Sequence, residues 1–151
     1  MMELAMLKKF SELGHSLGVT ANDVANWRGR VKMRTTYAPT VAGSAQRYSF
    51  ANALELALVG AFTRVGVPLQ VAVAMAESHV QAAVAGKKVP EWAATAAGNY
   101  ASGRVSDDLA KIDWAALQGS TPDGVPSFFI VRIGEIVRNV SALFAVEKVE
   151  A

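Results

Sequence analysis

The sequence predicts an α+β fold that is mostly helical up to Gly86 and contains a β-hairpin near its end. Three observations support this prediction. Apolar side chains recur every three or four residues from Phe50 to Val65, and the same spacing returns from Leu69 to Val84. In contrast, Lys32–Tyr48 and Phe128–Val140 are rich in β-branched and aromatic residues, which favour strands.

Two shorter helices are expected before Phe50. Apolar residues from Leu4 to Leu17 follow a helical spacing, and Gly18 then interrupts the pattern. Thr20 offers an N-cap, and Asp23 lies three residues later at the positive end of a second helix that runs to about Arg28. Two helices joined by a glycine turn predict a helix-turn-helix.

The segment Lys32–Tyr48 predicts a two-stranded wing, with its turn between Pro39 and Ser44. Ser49 is the expected N-cap of the third helix, and Gly66 ends that helix. Pro68 suits the first turn of a fourth helix. The first half of the chain is therefore predicted to be a winged helix-turn-helix.

Gly86 ends the fourth helix and divides the chain into two predicted parts, residues 1–86 and residues 87–151. The second part is expected to be an oligomerisation or effector module. Within it, Ser106–Leu117 is compatible with an amphipathic helix, and two apolar runs around Gly134–Glu135 predict the hairpin. The tail from Ser141 continues a strand or forms a short helix.

The composition excludes several classes of protein. Hydrophobic residues make up 52% of the sequence and charged residues 19%, which favours a compact globule over a disordered chain. The lack of cysteine removes disulfides, thiolate metal sites and cysteine nucleophiles. No apolar run approaches the roughly 20 residues that span a bilayer, and the N-terminal order of charges does not suit a signal peptide. We therefore expect no membrane association and a cytoplasmic, nucleoid-associated location.

Positive charge is concentrated in the front half of the chain. The net charge is only +2, but no acidic residue occurs from Val24 to Leu54. Five cationic residues lie in that stretch: Arg28, Arg30, Lys32, Arg34 and Arg47. Such a stretch either faces solvent or contacts a polyanion, and DNA phosphates are the polyanion that this pattern suits.

Four short motifs carry a family resemblance: LGVT from Leu17, VANWRGR from Val24, RYSF from Arg47 and RVGVPLQ from Arg64. Through them, about half of the chain resembles the DNA-binding domain of MerR-type regulators. The resemblance implies that the second helix enters the major groove and that the wing touches the flanking phosphates. The cysteines of the metal sensors and the long dimerisation helix of that family have no counterpart here, so neither metal sensing nor the family's dimer geometry is carried over.

The predicted DNA-binding residues fall into three groups. Asn22, Asn26 and Arg28 are candidate base readers, because Asn pairs with adenine and Arg with guanine. The phosphate contacts are expected from the five cationic residues, and the wing contributes Thr36 and Tyr37. Tyr48 is either a core residue or a phosphate contact, whereas Trp27 is expected to pack in the core.

An enzyme is not expected. The two histidines, His15 and His79, lack a spacing partner for a metal site, and an acidic group near Asp107 is better explained by helix capping. No phosphate-binding glycine loop or hydrolase motif occurs, and no cofactor is expected.

The sequence therefore predicts a sequence-specific regulator of transcription, of bacterial or phage type. Its expected partners are double-stranded DNA and further copies of itself, as a homodimer or higher homo-oligomer, with RNA polymerase as a candidate. Two alternatives stay open. One is a phage-type architectural, recombination or packaging factor with the same DNA-binding head, and the other is a protein-interaction module that does not bind DNA.

Overall fold

The computed structural model describes residues 7–38, 46–119 and 127–145, and it confirms a mixed helical and antiparallel β architecture. The chain begins with strand β1 (Lys8–Lys9), helix α1 (Phe10–Leu13) and a 3-10 helix at Gly14–Leu17. Of the helix predicted over Leu4–Leu17, only Phe10–Leu13 is α-helical in the described residues, and the prediction is wrong at Lys8–Lys9. The backbone of Lys8–Lys9 pairs with Arg47–Tyr48 instead of continuing a helix.

Helix α2 (Ala21–Arg30) begins at the predicted cap. The Thr20 hydroxyl accepts a hydrogen bond from the Asp23 amide at 3.0 Å, and the Asp23 carboxylate accepts one from the Thr20 amide at 2.9 Å. This reciprocal capping box satisfies two amides that the first helical turn leaves unpaired.

The predicted wing is not found in the part of Lys32–Tyr48 that the structure describes. Its first half contains a 3-10 helix at Arg34–Tyr37, and its second half contains strand β2 (Arg47–Tyr48), which pairs with β1. The predicted turn at Pro39–Ser44 lies outside the described residues. Arg34 and Thr35 do not belong to a strand, because their backbone amides donate to the carboxylate of Glu55 and not to a neighbouring strand.

The next two helices confirm their predicted boundaries. Helix α3 covers Phe50–Arg64, and its N-cap is Ser49, whose hydroxyl accepts a hydrogen bond from the Asn52 amide. Gly66, two residues after the end of the helix, has a φ of 98°. Helix α4 (Leu69–Val84) starts directly after Pro68. Local capping chemistry was sufficient to place these ends.

A three-stranded antiparallel sheet follows, with the strand order β4-β3-β5. Strands β3 (Trp92–Ala96) and β4 (Asn99–Ser106) form the hairpin, and β5 (Phe128–Val131) pairs with the other side of β3. The predicted hairpin around Gly134 is wrong, because Ile133–Leu143 is a helix, α6.

Helix α6 forms because its apolar residues follow a helical spacing. Ile133 and Val140 are buried in the main core, and Ile136 and Val137 pack against that core. At its start, the Gly134 amide donates to the Glu91 carbonyl, and the Glu91 carboxylate accepts hydrogen bonds from Arg132 and Arg138.

The segment Ser106–Leu117 is divided between two short elements, so a single amphipathic helix there is wrong. A 3-10 helix covers Leu109–Lys111, and helix α5 covers Trp114–Gly119. Asp108 and Asp113 each accept a hydrogen bond from a backbone amide two or three residues later. These acids act as caps themselves, whereas the sequence predicted a cap at Ser106, which belongs to β4, with the acids in the first turn.

Helix α3 is the centre of the main hydrophobic core. Every residue from Asn52 to Gly60 is buried, and α4, α6 and the turn before α2 pack around it. A smaller cluster under the sheet combines Ala94, Ala96, Ile112 and Leu117. No helix in the described part of the chain is both long and apolar enough to cross a bilayer.

Gly60 in α3 gives a direct test of this packing. A Cβ at Gly60 would collide with the Val19 side chain, which is buried, so Gly60→Ala must displace the turn before α2. We expect a loss of about 1 to 3 kcal/mol in the free energy of unfolding, measured by urea denaturation.

Gly29→Ala is the matched control. Gly29 is also helical, but a Cβ added there would meet no atom of another packed element within 4 Å among the described residues. It should therefore show the helix-propensity gain of at most about 1 kcal/mol without a steric penalty. Equal stability of the two variants would contradict the packing of Val19 on α3.

Candidate nucleic-acid interface

One face of α2 is open to solvent and carries polar side chains at regular spacing. Asn22, Asn26 and Arg30 are exposed and follow each other at four-residue intervals, which places them in one row along the helix. The exposed residues beside them, Ala25 and Gly29, have the smallest side chains. The row is therefore accessible to a flat or grooved partner.

The opposite face holds α2 on the core. Val24 is buried, and Trp27 is partly buried and packs against the same cluster, which confirms its predicted role in the core. The indole of Trp27 lies close to Gly60, where the absence of a side chain leaves room for the ring. The orientation of the exposed row is consequently fixed by packing on α3.

The turn before α2 is held by a second contact with α3. Gly18 adopts a left-handed conformation with φ of 70°, and its carbonyl accepts a hydrogen bond from the Arg64 guanidinium at 2.6 Å. Glycine is favoured here because a positive φ strains other residues.

Arg28 lies at the edge of this face and is exposed only in part. Its Nε is buried and has no hydrogen-bond partner among the described residues. Since this nitrogen is buried, only the terminal nitrogens of the Arg28 guanidinium are suited to contact an anion outside the protein.

Tyr48 does not belong to the exposed surface. It is 6% exposed, and its ring makes an edge-to-face contact with Phe10 at 6.3 Å. Burial raises the pKa of its hydroxyl, and the charge of Arg28 opposes that shift. Of the two roles left open by the sequence, the structure supports the core role.

Arg34 and Thr36 have structural partners. The Arg34 Nε donates to both carboxylate oxygens of Glu77, at 2.8 and 2.9 Å, and this hydrogen bond lowers the pKa of Glu77. The Thr36 hydroxyl accepts from the Met33 amide at 3.1 Å. Sequence inspection could not reveal the acidic partner of Arg34, because Glu77 comes from α4.

The remaining candidates are at the surface. Lys32 is exposed and Tyr37 is 71% exposed. Arg47 lies 3.8 Å from the carboxylate of Glu12, and strand pairing places Lys9 opposite Arg47. Lys9 was missed by the sequence analysis, since only the pairing of β1 with β2 places it beside Arg47.

Glu55 was also missed, and it positions the cationic segment. It is 1% exposed, and its carboxylate accepts hydrogen bonds from the amides of Arg34 and Thr35 and from the Thr35 hydroxyl, at 2.7 to 2.9 Å. The sequence did contain a signal for this role, because Glu55 is an acidic residue among the apolar residues of α3. Such a residue needs several donors to offset its desolvation.

Comparison of the chain with protein-family models, with curated proteins and with solved structures found no match. Within residues 7–38, 46–119 and 127–145, no group of three acidic or histidine side chains is arranged to hold a metal ion.

Replacing Glu55 by glutamine tests this support. In Glu55→Gln, one oxygen can still accept from Thr35, but an amide NH₂ group replaces the acceptor of the Arg34 amide. We expect the free energy of unfolding to fall by about 1 to 3 kcal/mol in chemical denaturation.

The control Glu135→Gln removes an exposed carboxylate paired with Arg138 and should cost less than about 1 kcal/mol. Similar losses in both variants would contradict the role of Glu55.

The pH dependence of stability gives a second readout. Burial raises the pKa of Glu55 above its ordinary value of 4.5, against the opposing effect of its hydrogen bonds. The folded state then binds a proton more tightly than the unfolded chain, so this group's contribution to stability falls as pH rises from 4.5 through the folded pKa. The difference in unfolding free energy between wild type and Glu55→Gln should therefore shrink with rising pH over that window. A difference that grows there would contradict the raised pKa.

Proposed function

We propose that the protein binds double-stranded DNA through a helix-turn-helix, with α2 in the major groove, and that it regulates transcription from specific sites. The observation that carries this proposal is the exposed row Asn22, Asn26 and Arg30 on a helix whose other face is fixed to the core. A rigid helix with one polar face has the dimensions that a major groove admits.

The chemistry of the row suits the edges of base pairs. An Asn side chain can donate to and accept from adenine, and an Arg side chain can donate two hydrogen bonds to guanine. Ala25 and Gly29 let the helix backbone approach closely, because their side chains add little bulk beside the row. These five residues are the proposed surface for direct readout.

The cationic residues around α2 supply the proposed phosphate contacts. Arg28 is partly exposed on α2, and Lys32 is exposed just after the end of the helix. Arg47 and Lys9 add charge on the paired strands. Arg34 contributes less, because its guanidinium is already paired with Glu77.

Specific recognition also requires more than one copy. A single helix contacts few base pairs, so we propose that two copies bind paired half-sites. The resemblance of the sequence to MerR-type regulators supports α2 as the helix that enters the major groove.

Binding should first be measured by fluorescence anisotropy with random-sequence duplex DNA at low salt, about 50 mM. A preferred site is then selected from a random pool. We expect Asn26→Ala and Arg30→Ala to weaken binding to the selected site about tenfold or more, because each removes a base contact worth roughly 1 to 3 kcal/mol. Arg28→Ala should weaken binding to all sequences and reduce the salt slope by about 1.

Lys111→Ala is the control for a lost surface charge, since Lys111 is exposed in the 3-10 helix after β4. It should bind like wild type. Failure of the wild-type protein to bind duplex DNA at low salt would overturn the proposal. Binding in extended arrays without a preferred site would instead indicate an architectural or packaging factor.

A further inference from the structure

A cavity of about 490 Å³, widely open to solvent, lies between the end of α2, the 3-10 helix Arg34–Tyr37 and α4. Its walls include the apolar side chains of Val31, Met33, Val73 and Ala74. The volume falls in the range of sites for small organic ligands, which are also lined mainly by apolar groups. The cavity can therefore accept the apolar body of a small molecule.

The two carboxylates in this cavity are already engaged. Glu55 accepts three hydrogen bonds from Arg34 and Thr35. Glu77 accepts from the Arg34 Nε and from the Gln81 amide. These carboxylates are therefore poorly placed to attract a cationic ligand.

Hydrogen-bond donors remain available around the same cavity. Arg34 uses only its Nε in the contact with Glu77, and its side chain is 34% exposed. Neither the Lys32 ammonium nor the Tyr37 hydroxyl has a hydrogen-bond partner in the described part of the chain, and both residues are exposed. The charges that line the cavity balance, with two cations against two carboxylates, but the carboxylates are already engaged, so the polar groups left free on its walls are mainly donors.

We propose that this cavity binds an organic carboxylate with an apolar body, whose carboxylate is recognised by Lys32, the terminal nitrogens of Arg34 and the Tyr37 hydroxyl. Charge-assisted hydrogen bonds hold the acid, and Val73 and Ala74 contact its hydrocarbon part. The inference goes beyond DNA binding and stands without it.

The test uses naphthalene-2-carboxylate as the probe and the neutral naphthalene-2-carboxamide as its matched control. Amide NMR spectra of the full chain are recorded during each titration, without DNA. We expect saturable shifts for residues 31–37 and 70–77, with a Kd below about 1 mM for the acid and a Kd about tenfold higher for the amide.

Variants then assign the site. Lys32→Gln should weaken binding of the acid about threefold to tenfold. Ala74→Glu should weaken it further, because it adds a third carboxylate that has no donor of its own and gives the lining a net negative charge. Lys111→Gln removes an exposed charge outside the cavity and should leave the Kd unchanged. Circular dichroism checks that each variant is folded.

Several outcomes would overturn the inference. These are the absence of saturable shifts, equal binding of the acid and the amide, shifts confined to residues outside the cavity, and an unchanged Kd in folded Lys32→Gln and Ala74→Glu. Because DNA is absent from these titrations, their result is independent of the DNA-binding test.

Discussion

Glu55 places a carboxylate inside the main core, where it accepts hydrogen bonds from two successive amides and one hydroxyl of the segment after α2. These bonds hold Arg34 and Thr35 in a 3-10 turn against α3. A carboxylate in this position is stable only while its donors remain, because burying an unpaired charge costs several kcal/mol or more. The 3-10 turn after α2 therefore depends on one acidic side chain.

The orientation of α2 depends on close packing with α3. Gly60 leaves room for Val19 and Trp27, and Arg64 binds the carbonyl of the left-handed Gly18. Together with the buried carboxylate, these contacts fix both ends of the segment that carries the cationic side chains. A surface fixed in this way loses little conformational freedom on binding, which favours affinity and specificity.

Local chemistry determined which features could be predicted from the sequence. The caps at Thr20 and Ser49 and the helix ends near Gly66 and Pro68 were predicted correctly, because each depends on residues a few positions apart. The errors arise from distant contacts. Lys8–Lys9 is a strand because it meets β2, the turn at Arg34 exists because of Glu55, and Ile133–Leu143 is a helix packed on the core. For the candidate interface, the sequence indicated Asn22 and Asn26 of the exposed row as base readers, but it named Arg28 and not Arg30 beside them. It also could not show that Tyr48 is buried or that Glu77 pairs with Arg34.

The packing of α6 on α3 has a consequence for how the protein folds. These two helices are far apart in sequence, yet both contribute buried residues to the same cluster. Contacts over such a long sequence separation raise the contact order of the fold. They slow folding, because closing so long a loop costs entropy before the contact can repay it. A nascent chain in which only the first four helices have been synthesised lacks the part of the core that α6 contributes. Its apolar surface therefore stays accessible to chaperones until Ile133–Leu143 has been synthesised.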